Sequence, residues 1–333
     1  MMRSLYSGIS GLKNHQTRMD VIGNNIANVN TVGYKASRTI FQDIFSQSVK
    51  SGTSNLDFIG GTNPTQIGLG IKLSTVDVLH TPAPIQRTDN PFDMMIEGDG
   101  FFILMDENGD YYYSRAGNFY LDDAGYLVSS HGYYVMGYNF DLDYVEYDKG
   151  SGPDPRVDAT PGYLFVVDPE YGPSDTLGRI RLRYEDPAAL VGVDEILDYT
   201  GGSPPVVTYD DIIGLYQDLT GFSVGQDGSV SVIINNVKET IAYIGVSMFS
   251  NPGGLEKAGN SLYREGPASG DALHTNALMD GAGKVLGGGL EMSNVDLATE
   301  FTDMIITQRG FQANSRVITV SDTLLEELVN LKR

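Results

Sequence analysis

Apolar residues recur near both ends of this chain at the intervals of long amphipathic helices. In residues 1–40 an apolar residue returns every seven positions, with a second row interleaved at 3/4 spacing: Leu5, Leu12, Met19 and Ile26, with Met2 and Ile9. This heptad pattern predicts a helix from Met2 to Asn28 that packs against a helical partner. The second row becomes polar at Gln16 and Gly23, so the helix is expected to be marginal in isolation.

Residues 290–333 have the same pattern. One apolar row repeats every seven residues: Leu297, Met304, Phe311, Ile318 and Leu325. The companion row is apolar only at its two ends and polar in between: Phe301, Gln308, Ser315, Asp322 and Val329. Neither stretch contains proline, which would interrupt a helix. Two weakly apolar seams favour pairing with each other and with neighbouring molecules. Two ordinary surface helices on one globule are the alternative that periodicity leaves open.

The middle of the chain predicts β structure. Residues 91–138 contain short aromatic and aliphatic runs separated by turn signals such as Asn108-Gly109: 101–105, 111–113, 119–121, 126–128 and 133–138. Residues 216–289 repeat this character, with a hairpin signal at 222–228. We therefore predict an α+β protein of discontinuous domains. Residues 1–40 and 290–333 form a terminal α-helical coiled-coil pair, and residues 91–138 and 216–289 form an inner all-β domain.

Two further segments complete the predicted organisation. Residues 41–90 are expected to be a linker and the start of the inner domain, with a turn-rich stretch at 60–70 (GGTNPTQIGLG). Residues 139–215 hold eight of the 14 prolines. We interpret them as a small inserted outer β-rich domain, since insertion into an outer loop costs little closure entropy.

Charge is distributed unevenly along the chain, whose net charge is −21. Residues 1–50 carry six Lys or Arg and two Asp or Glu, whereas residues 268–333 carry five and nine. The two ends are thus electrostatically complementary, and the middle is strongly acidic and suited to contact with solvent. The sequence contains no basic patch that could neutralise phosphates, so nucleic-acid binding is not expected. The absence of cysteine excludes disulfides and thiol chemistry.

No catalytic or metal-binding constellation emerges from the motifs. His15, His80, His131 and His274 lack ligand spacing, so packing or surface roles are favoured for them. The stretch 98–100 (GDG) lacks the third glycine of a dinucleotide fingerprint. The stretch 106–110 (DENGD) lacks the later ligands of a calcium loop and is interpreted as a hairpin turn. The sequence predicts no enzyme, no cofactor and no metal.

An asparagine-rich motif follows the first helix. Asn24, Asn25, Asn28 and Asn30 are poor residues for a helix interior, because their side chains compete for backbone hydrogen bonds. Gly33 then favours a turn or a left-handed cap. The motif predicts a helix C-terminus that runs into a tightly turned segment.

The motifs at the two ends resemble one protein family. Residues 2–12 (MRSLYSGISGL) and 24–35 (NNIANVNTVGYK) resemble the N-terminal signature of the flagellar rod and hook proteins of bacteria. Residues 289–297 (GLEMSNVDL) and 308–316 (QRGFQANSR) are similar to their C-terminal signature. The resemblance extends through the β regions and covers residues 1–138 and 219–333, but it fades in between.

The resemblance implies a self-assembling structural subunit of the flagellar hook, a flexible tube between rod and filament. The stretch 60–70 resembles the hook proteins here, and the distal rod protein, a stiff drive shaft, is the alternative. An acidic soluble binding or carbohydrate-handling protein is a third, remote hypothesis. The family implies an inner tube of terminal helices, with these expected contact residues: Leu5, Ile9, Leu12, Met19, Asn24, Asn25, Ile26, Asn28, Asn30, Leu297, Phe301, Met304, Phe311, Ile318 and Leu325.

Partners and location also follow from the resemblance. The expected partners are other copies of the chain, rod and hook–filament junction proteins, the hook cap and the export apparatus, with no nucleic acid and no membrane insertion. The N-terminal region has no signal-peptide core, and sequence rules alone would favour the cytoplasm. The family instead implies an extracellular hook or basal-body location, reached by export without a cleaved signal.

Overall fold

The computed structural model describes residues 2–52, 54, 60–122, 125–139, 142–145, 164–167, 177–180, 221–234 and 237–331. The chain divides into two compact units. Unit 1 comprises Met1–Thr81 and Ser293–Arg333, and unit 2 comprises Pro82–Met292. Two helices thus accompany a largely β body. The first division falls after Thr81, within the range 41–90 that we expected to hold the linker and the start of the inner domain.

Unit 1 contains both long helices and four strands. Helix α1 spans Met2–Ala27 and helix α2 spans Leu297–Asn330, while β1 is Ser37–Asp43, β2 is Ser46–Lys50, β3 is Thr65–Gly68 and β4 is Ile71–Val78. Strand β1 pairs antiparallel with β4, and β2 pairs antiparallel with β3. Residues 41–78 therefore include paired strands where we expected a turn-rich linker.

The helix boundaries follow from local capping. Helix α1 ends one residue before the predicted Asn28, and the Nδ2 of Asn28 donates to the carbonyl of Asn24, 2.9 Å away. Helix α2 begins at Leu297 and not at residue 290, because residues 289–291 form a strand. Asp296 caps α2, with its carboxylate accepting from the Ala298 N–H at 3.0 Å and the Thr299 hydroxyl at 2.7 Å. The Thr299 hydrogen bond is the main cause of the lowered pKa of Asp296.

Unit 2 is built from antiparallel strands. Its elements are β5 (Ile85–Arg87), β6 (Met94–Glu97), β7 (Phe101–Met105), β8 (Tyr111–Ser114), β9 (Phe119–Leu121), β10 (Leu127–Ser129), β11 (Tyr134–Asn139), β12 (Leu142–Val145), β13 (Leu164–Val167), β14 (Gly178–Arg179), β15 (Phe222–Val224), β16 (Ser229–Ile234), β17 (Val237–Met248), a 3₁₀ turn (Pro252–Gly254), β18 (Glu256–Gly259), β19 (Leu262–Arg264), β20 (Leu273–Asn276), β21 (Lys284–Gly287) and β22 (Gly289–Glu291). The main path of its largest sheet runs β15-β16-β17-β11-β7-β8-β19-β18.

Strand β7 lies near the middle of this sheet and is apolar throughout because both of its faces are buried. Phe102 and Leu104 belong to one core cluster, and Phe101 and Ile103 belong to a second. The β7–β8 turn uses the predicted Asn108-Gly109 signal, with Gly109 at φ 86°. The structure confirms the predicted strands in this region, with boundaries shifted by a residue or so for β8, β10 and β11.

The predicted outer domain at 139–215 lies mostly outside the described residues. Within that range the structure describes β12 paired with β13, and β14 paired with β11. The predicted hairpin at 222–228 is confirmed, since β15 pairs antiparallel with β16.

Candidate assembly surface

Helices α1 and α2 of unit 1 pack antiparallel and very closely. A methyl group added at Gly11 would lie 2.5 Å from Nδ2 of Asn314, and one added at Gly310 would lie 2.8 Å from Cε1 of His15. A methyl group added at Gly8 would lie 3.3 Å from Cγ1 of Ile318. Glycines on both helices thus allow the backbones to approach where side chains would hold them apart.

The α1 residues that contact α2 are displaced by one position from the predicted apolar row. Contacts run from Gly8, Gly11 and His15 to Arg18 and Asn25, and Ile22, at the 3/4 position between the last two, is buried at 4% exposure. The predicted residues Leu5, Leu12, Met19 and Ile26 are half-buried, and Ile9 is 53% exposed. The predicted apolar row of α1 is therefore partly covered and lies one position from the glycines and polar residues that meet α2.

On α2 one member of the predicted first row contacts α1, and the covered companion positions differ from the predicted ones. Ile318 contacts Gly8, and Met304, Phe311 and Leu325 at the same heptad position are half-buried. The companion positions Thr307, Asn314 and Ser321 are buried or half-buried, while the predicted Gln308, Ser315 and Asp322 are exposed. Phe301 is 50% exposed and Leu297 is 39% exposed.

Two polar contacts join the C-terminal part of α1 to the first turns of α2. Arg18 Nη2 lies 2.8 Å from Asp303 Oδ2, and both side chains remain about one-third exposed, so this ion pair contributes little stability. Asn25 Nδ2 donates to Glu300 Oε1 at 3.0 Å. Burial raises the pKa of Glu300, an effect that the hydrogen bond from Asn25 opposes.

Asn25 is the centre of the asparagine motif. Its side chain is fully enclosed, at 1% exposure, and its amide also donates to the Ser37 carbonyl at 2.8 Å. Its Oδ1 accepts from the Tyr34 hydroxyl at 3.1 Å and the Ser37 N–H at 3.0 Å. One buried amide therefore joins the end of α1, the following turn, β1 and α2. By contrast, Asn24 and Asn30 are exposed, and Asn28 bonds to Asn24.

A second asparagine ties the segment before α2 to the same region. Asn294 Oδ1 accepts from the Ala36 N–H at 2.8 Å, and Nδ2 donates to the Leu79 carbonyl and the Thr81 hydroxyl, both at 2.8 Å. Lys35 is buried nearby and donates to the Thr81 carbonyl at 2.7 Å. Sequence reasoning included Asn294 in a motif but gave it no role, since its partners lie more than 200 residues away.

A further apolar row of α2 is exposed, and the sequence analysis missed it. Ile306 and Val320 are 58% and 57% exposed, and the other large apolar members are also exposed. The row follows 3/4 spacing along the helix, and one of its members, Gly310, lies against His15 of α1 while the others are exposed: Ile306, Gly310, Ala313, Val317, Val320, Leu324, Glu327 and Leu331. We call it the outer row of α2. The alternation of three- and four-residue intervals between these positions could have predicted a second heptad seam on this helix.

The two helices carry opposite net charge. Helix α1 has three Lys or Arg and one Asp, whereas α2 has two Arg and five Asp or Glu. Across the described part of the chain, no helix is long and apolar enough to cross a membrane. The same residues contain no group of three or more His, Cys, Asp or Glu suited to hold a metal ion. The distinctive features of unit 1 are thus apolar rows and complementary charge.

Three family models match the chain along most of its length. Residues 5–35 match a model described as flagella basal body rod protein, and residues 95–232 match the flagellar hook protein FlgE/F/G D1 domain. Residues 286–331 match the flagellar basal body rod FlgEFG protein C-terminal model. A curated relative, the flagellar basal-body rod protein FlgG of Bacillus subtilis, is 41% identical over 100% of both chains.

The chain belongs to the flagellar rod and hook protein family. Two hook proteins FlgE are also similar over 100% of both chains. The one from Borreliella burgdorferi is 32% identical, and the one from Treponema pallidum is 31% identical. The resemblance drawn from the end motifs is confirmed. These relatives are named as rod and hook proteins, and the chain is a flagellar basal-body or hook component.

Proposed function

We propose that this chain is the self-assembling structural subunit of the bacterial flagellar hook. Many copies form a flexible tube that joins the rod to the filament. The single observation that carries self-assembly is the exposed outer row of α2. An uncovered heptad seam on a long helix is suited to pack against another helix.

The partner that fits the outer row is α1 of a second copy. The flanking face of α1 carries Ile9 and Tyr6, both more than half exposed, beside the half-buried Leu5 and Leu12. Helix α1 is net basic and α2 is net acidic, so the two helices attract each other as a whole. In the tube the residues expected from sequence would line contacts between copies, as well as contacts within one copy.

The size of the outer row favours a polymer over a dimer. Burying a half-exposed Val, Ile or Leu gains about 1 kcal/mol, so the five large apolar residues of the row supply about 5 kcal/mol. Association costs about 4–15 kcal/mol in lost freedom of motion. The gain from one such contact only reaches the lower end of this cost, so a single contact is marginal, whereas a subunit in a tube makes several contacts at once.

The second candidate function is the distal rod protein, a rigid drive shaft. The 41% identity to a protein named as a rod component, over the whole of both chains, supports it. The stretch 60–70 and the region 139–215, proposed as an outward-facing domain, favour the hook. Either function gives an axial protein of the flagellum, in the hook or in the basal body, exported without a cleaved signal. Its partners would be its own copies, adjoining rod, junction and cap proteins and the export apparatus. Neither function involves catalysis.

Electron microscopy of basal bodies from a strain lacking this gene distinguishes the two candidates. The hook function predicts a complete rod with rings and nothing beyond it. A truncated rod without its outer rings would identify the distal rod function instead. Flagella of normal appearance would contradict both.

A further inference from the structure

The chain enters and leaves unit 2 at neighbouring positions. It enters at Pro82 and leaves at Met292, and the two strands next to these points, β5 and β22, pair antiparallel from Glu291↔Ile85 to Gly289↔Arg87. In the described residues β5 has no other strand partner, and all three of its residues are exposed. Its attachment to the core therefore depends on β22.

A buried ion pair lies at this point. Arg115 Nη1 is 3.4 Å from Glu291 Oε2, and the two side chains are only 3% and 2% exposed. The guanidinium also donates to the carbonyls of Ile96 at 3.3 Å and Gly98 at 2.8 Å. It lies over the Phe101 ring, 5.2 Å from the centroid. Arg115 thus connects Glu291 to β6, to the loop after it, and to the central strand β7.

Glu291 also holds the entering segment. Its Oε1 accepts from the Ala83 N–H at 3.2 Å, and the neighbouring Met292 N–H donates to the Pro84 carbonyl at 3.0 Å. The carboxylate therefore contacts the segment by which the chain enters, while it belongs to the strand by which the chain leaves. The same side-chain pair thus contacts both connections and the core of unit 2, in addition to the backbone hydrogen bonds that Gly288 forms with Asp93 and Thr88.

We propose that Arg115 and Glu291 form a latch that keeps both chain connections of unit 2 attached to its β core. Force or motion that reaches unit 2 along the backbone is then passed to β6 and β7 through this pair. Without the latch, residues 82–87 and 289–292 open locally while the core remains folded. This inference does not depend on the proposed function, because it concerns contacts within one unit.

Hydrogen exchange followed by mass spectrometry on the full chain tests the latch. In Glu291→Gln, which keeps the shape but removes the charge opposite Arg115, amide exchange in residues 82–87 and 289–292 is expected to rise about 10- to 100-fold. Exchange in β7 and β16 should stay unchanged. The matched control is Glu97→Gln, which removes the partially exposed pair between Lys284 and Glu97 and should leave both connections protected.

A double variant separates a latch from a general contribution to core stability. Arg115→Met with Glu291→Met replaces the pair by apolar side chains, an exchange that often preserves stability. It also removes the acceptor of the Ala83 N–H, so the latch predicts a protected core with fast exchange in residues 82–87. Wild-type protection of both connections in this variant would overturn the proposal. Faster exchange throughout unit 2 in Glu291→Gln would also overturn it.

Discussion

Replacing Gly11 with alanine tests how closely the two helices of unit 1 pack. The new methyl group would lie 2.5 Å from Nδ2 and 2.9 Å from Cγ of Asn314, closer than carbon and nitrogen atoms can approach without a shift. Crowding of this kind costs about 1–3 kcal/mol. Alanine also favours a helix over glycine by about 1 kcal/mol. The net effect of Gly11→Ala is thus a loss of about 0–2 kcal/mol.

Gly23→Ala is the matched control on the same helix. Nothing lies within 4 Å of a methyl group at Gly23, so this change should stabilise α1 by about 1 kcal/mol. Both variants gain the same helix propensity, and the difference between them isolates the crowding at about 1–3 kcal/mol. Urea unfolding followed by circular dichroism at the helix band measures that difference. Equal unfolding midpoints for the two variants would refute the close approach of α1 and α2.

Two further predictions concern unit 1. Asn25→Ala removes four hydrogen bonds from a buried amide and should lower the free energy of unfolding by about 2–4 kcal/mol, at about 1 kcal/mol for each bond. The exposed Asn30→Ala should change it by less than about 0.5 kcal/mol, and equal losses in urea unfolding would contradict the role of Asn25. His15 packs against Gly310, and burial, then Arg18, lowers its pKa below the ordinary 6.5. The folded state therefore resists protonation, so its stability should fall as pH drops below about 6.5. His15→Gln should remove this part of the pH dependence in urea midpoints measured between about pH 5 and 8, and an unchanged profile would exclude His15 as its source.

Several helices and strands of this fold were predicted well, because each of them is marked by a pattern in its own residues, such as heptad spacing, an apolar run or a turn dipeptide. The heptad row of residues 1–40 predicted α1 to within a residue at its end. The apolar run of β7 and the Asn108-Gly109 turn predicted a hairpin that the structure contains. The paired strands of residues 41–78 were not predicted. The glycines and Pro64 at 60–70 are turn signals, and they outweigh the apolar residues on either side of them in a prediction from local sequence.

The site was predicted less accurately, because its contacts depend on residues that are distant in sequence. The contact row of α1 contains Gly8 and Gly11, which let α2 approach because they have no side chain. A pattern based on apolar residues therefore identifies the neighbouring row instead. Asn25 was found through its motif, but its bond to Glu300 spans 275 residues and leaves no local signal. The outer row of α2 is interrupted by Gly310 and Glu327, so the unbroken apolar row on the same helix gives the stronger heptad signal.

The central claim is that the outer row of α2 contacts a neighbouring copy of the chain. It is tested most directly by polymer formation of the purified full chain carrying Val320→Asp and Leu324→Asp, observed by electron microscopy. Gln312→Asp with Ser315→Asp is the matched control, because it also adds two carboxylates at exposed positions of α2, outside the outer row. The account predicts that the outer-row variant keeps the helix content of the wild type but forms no tubes, while the control forms tubes normally. Tubes formed equally well by the outer-row variant would contradict the account.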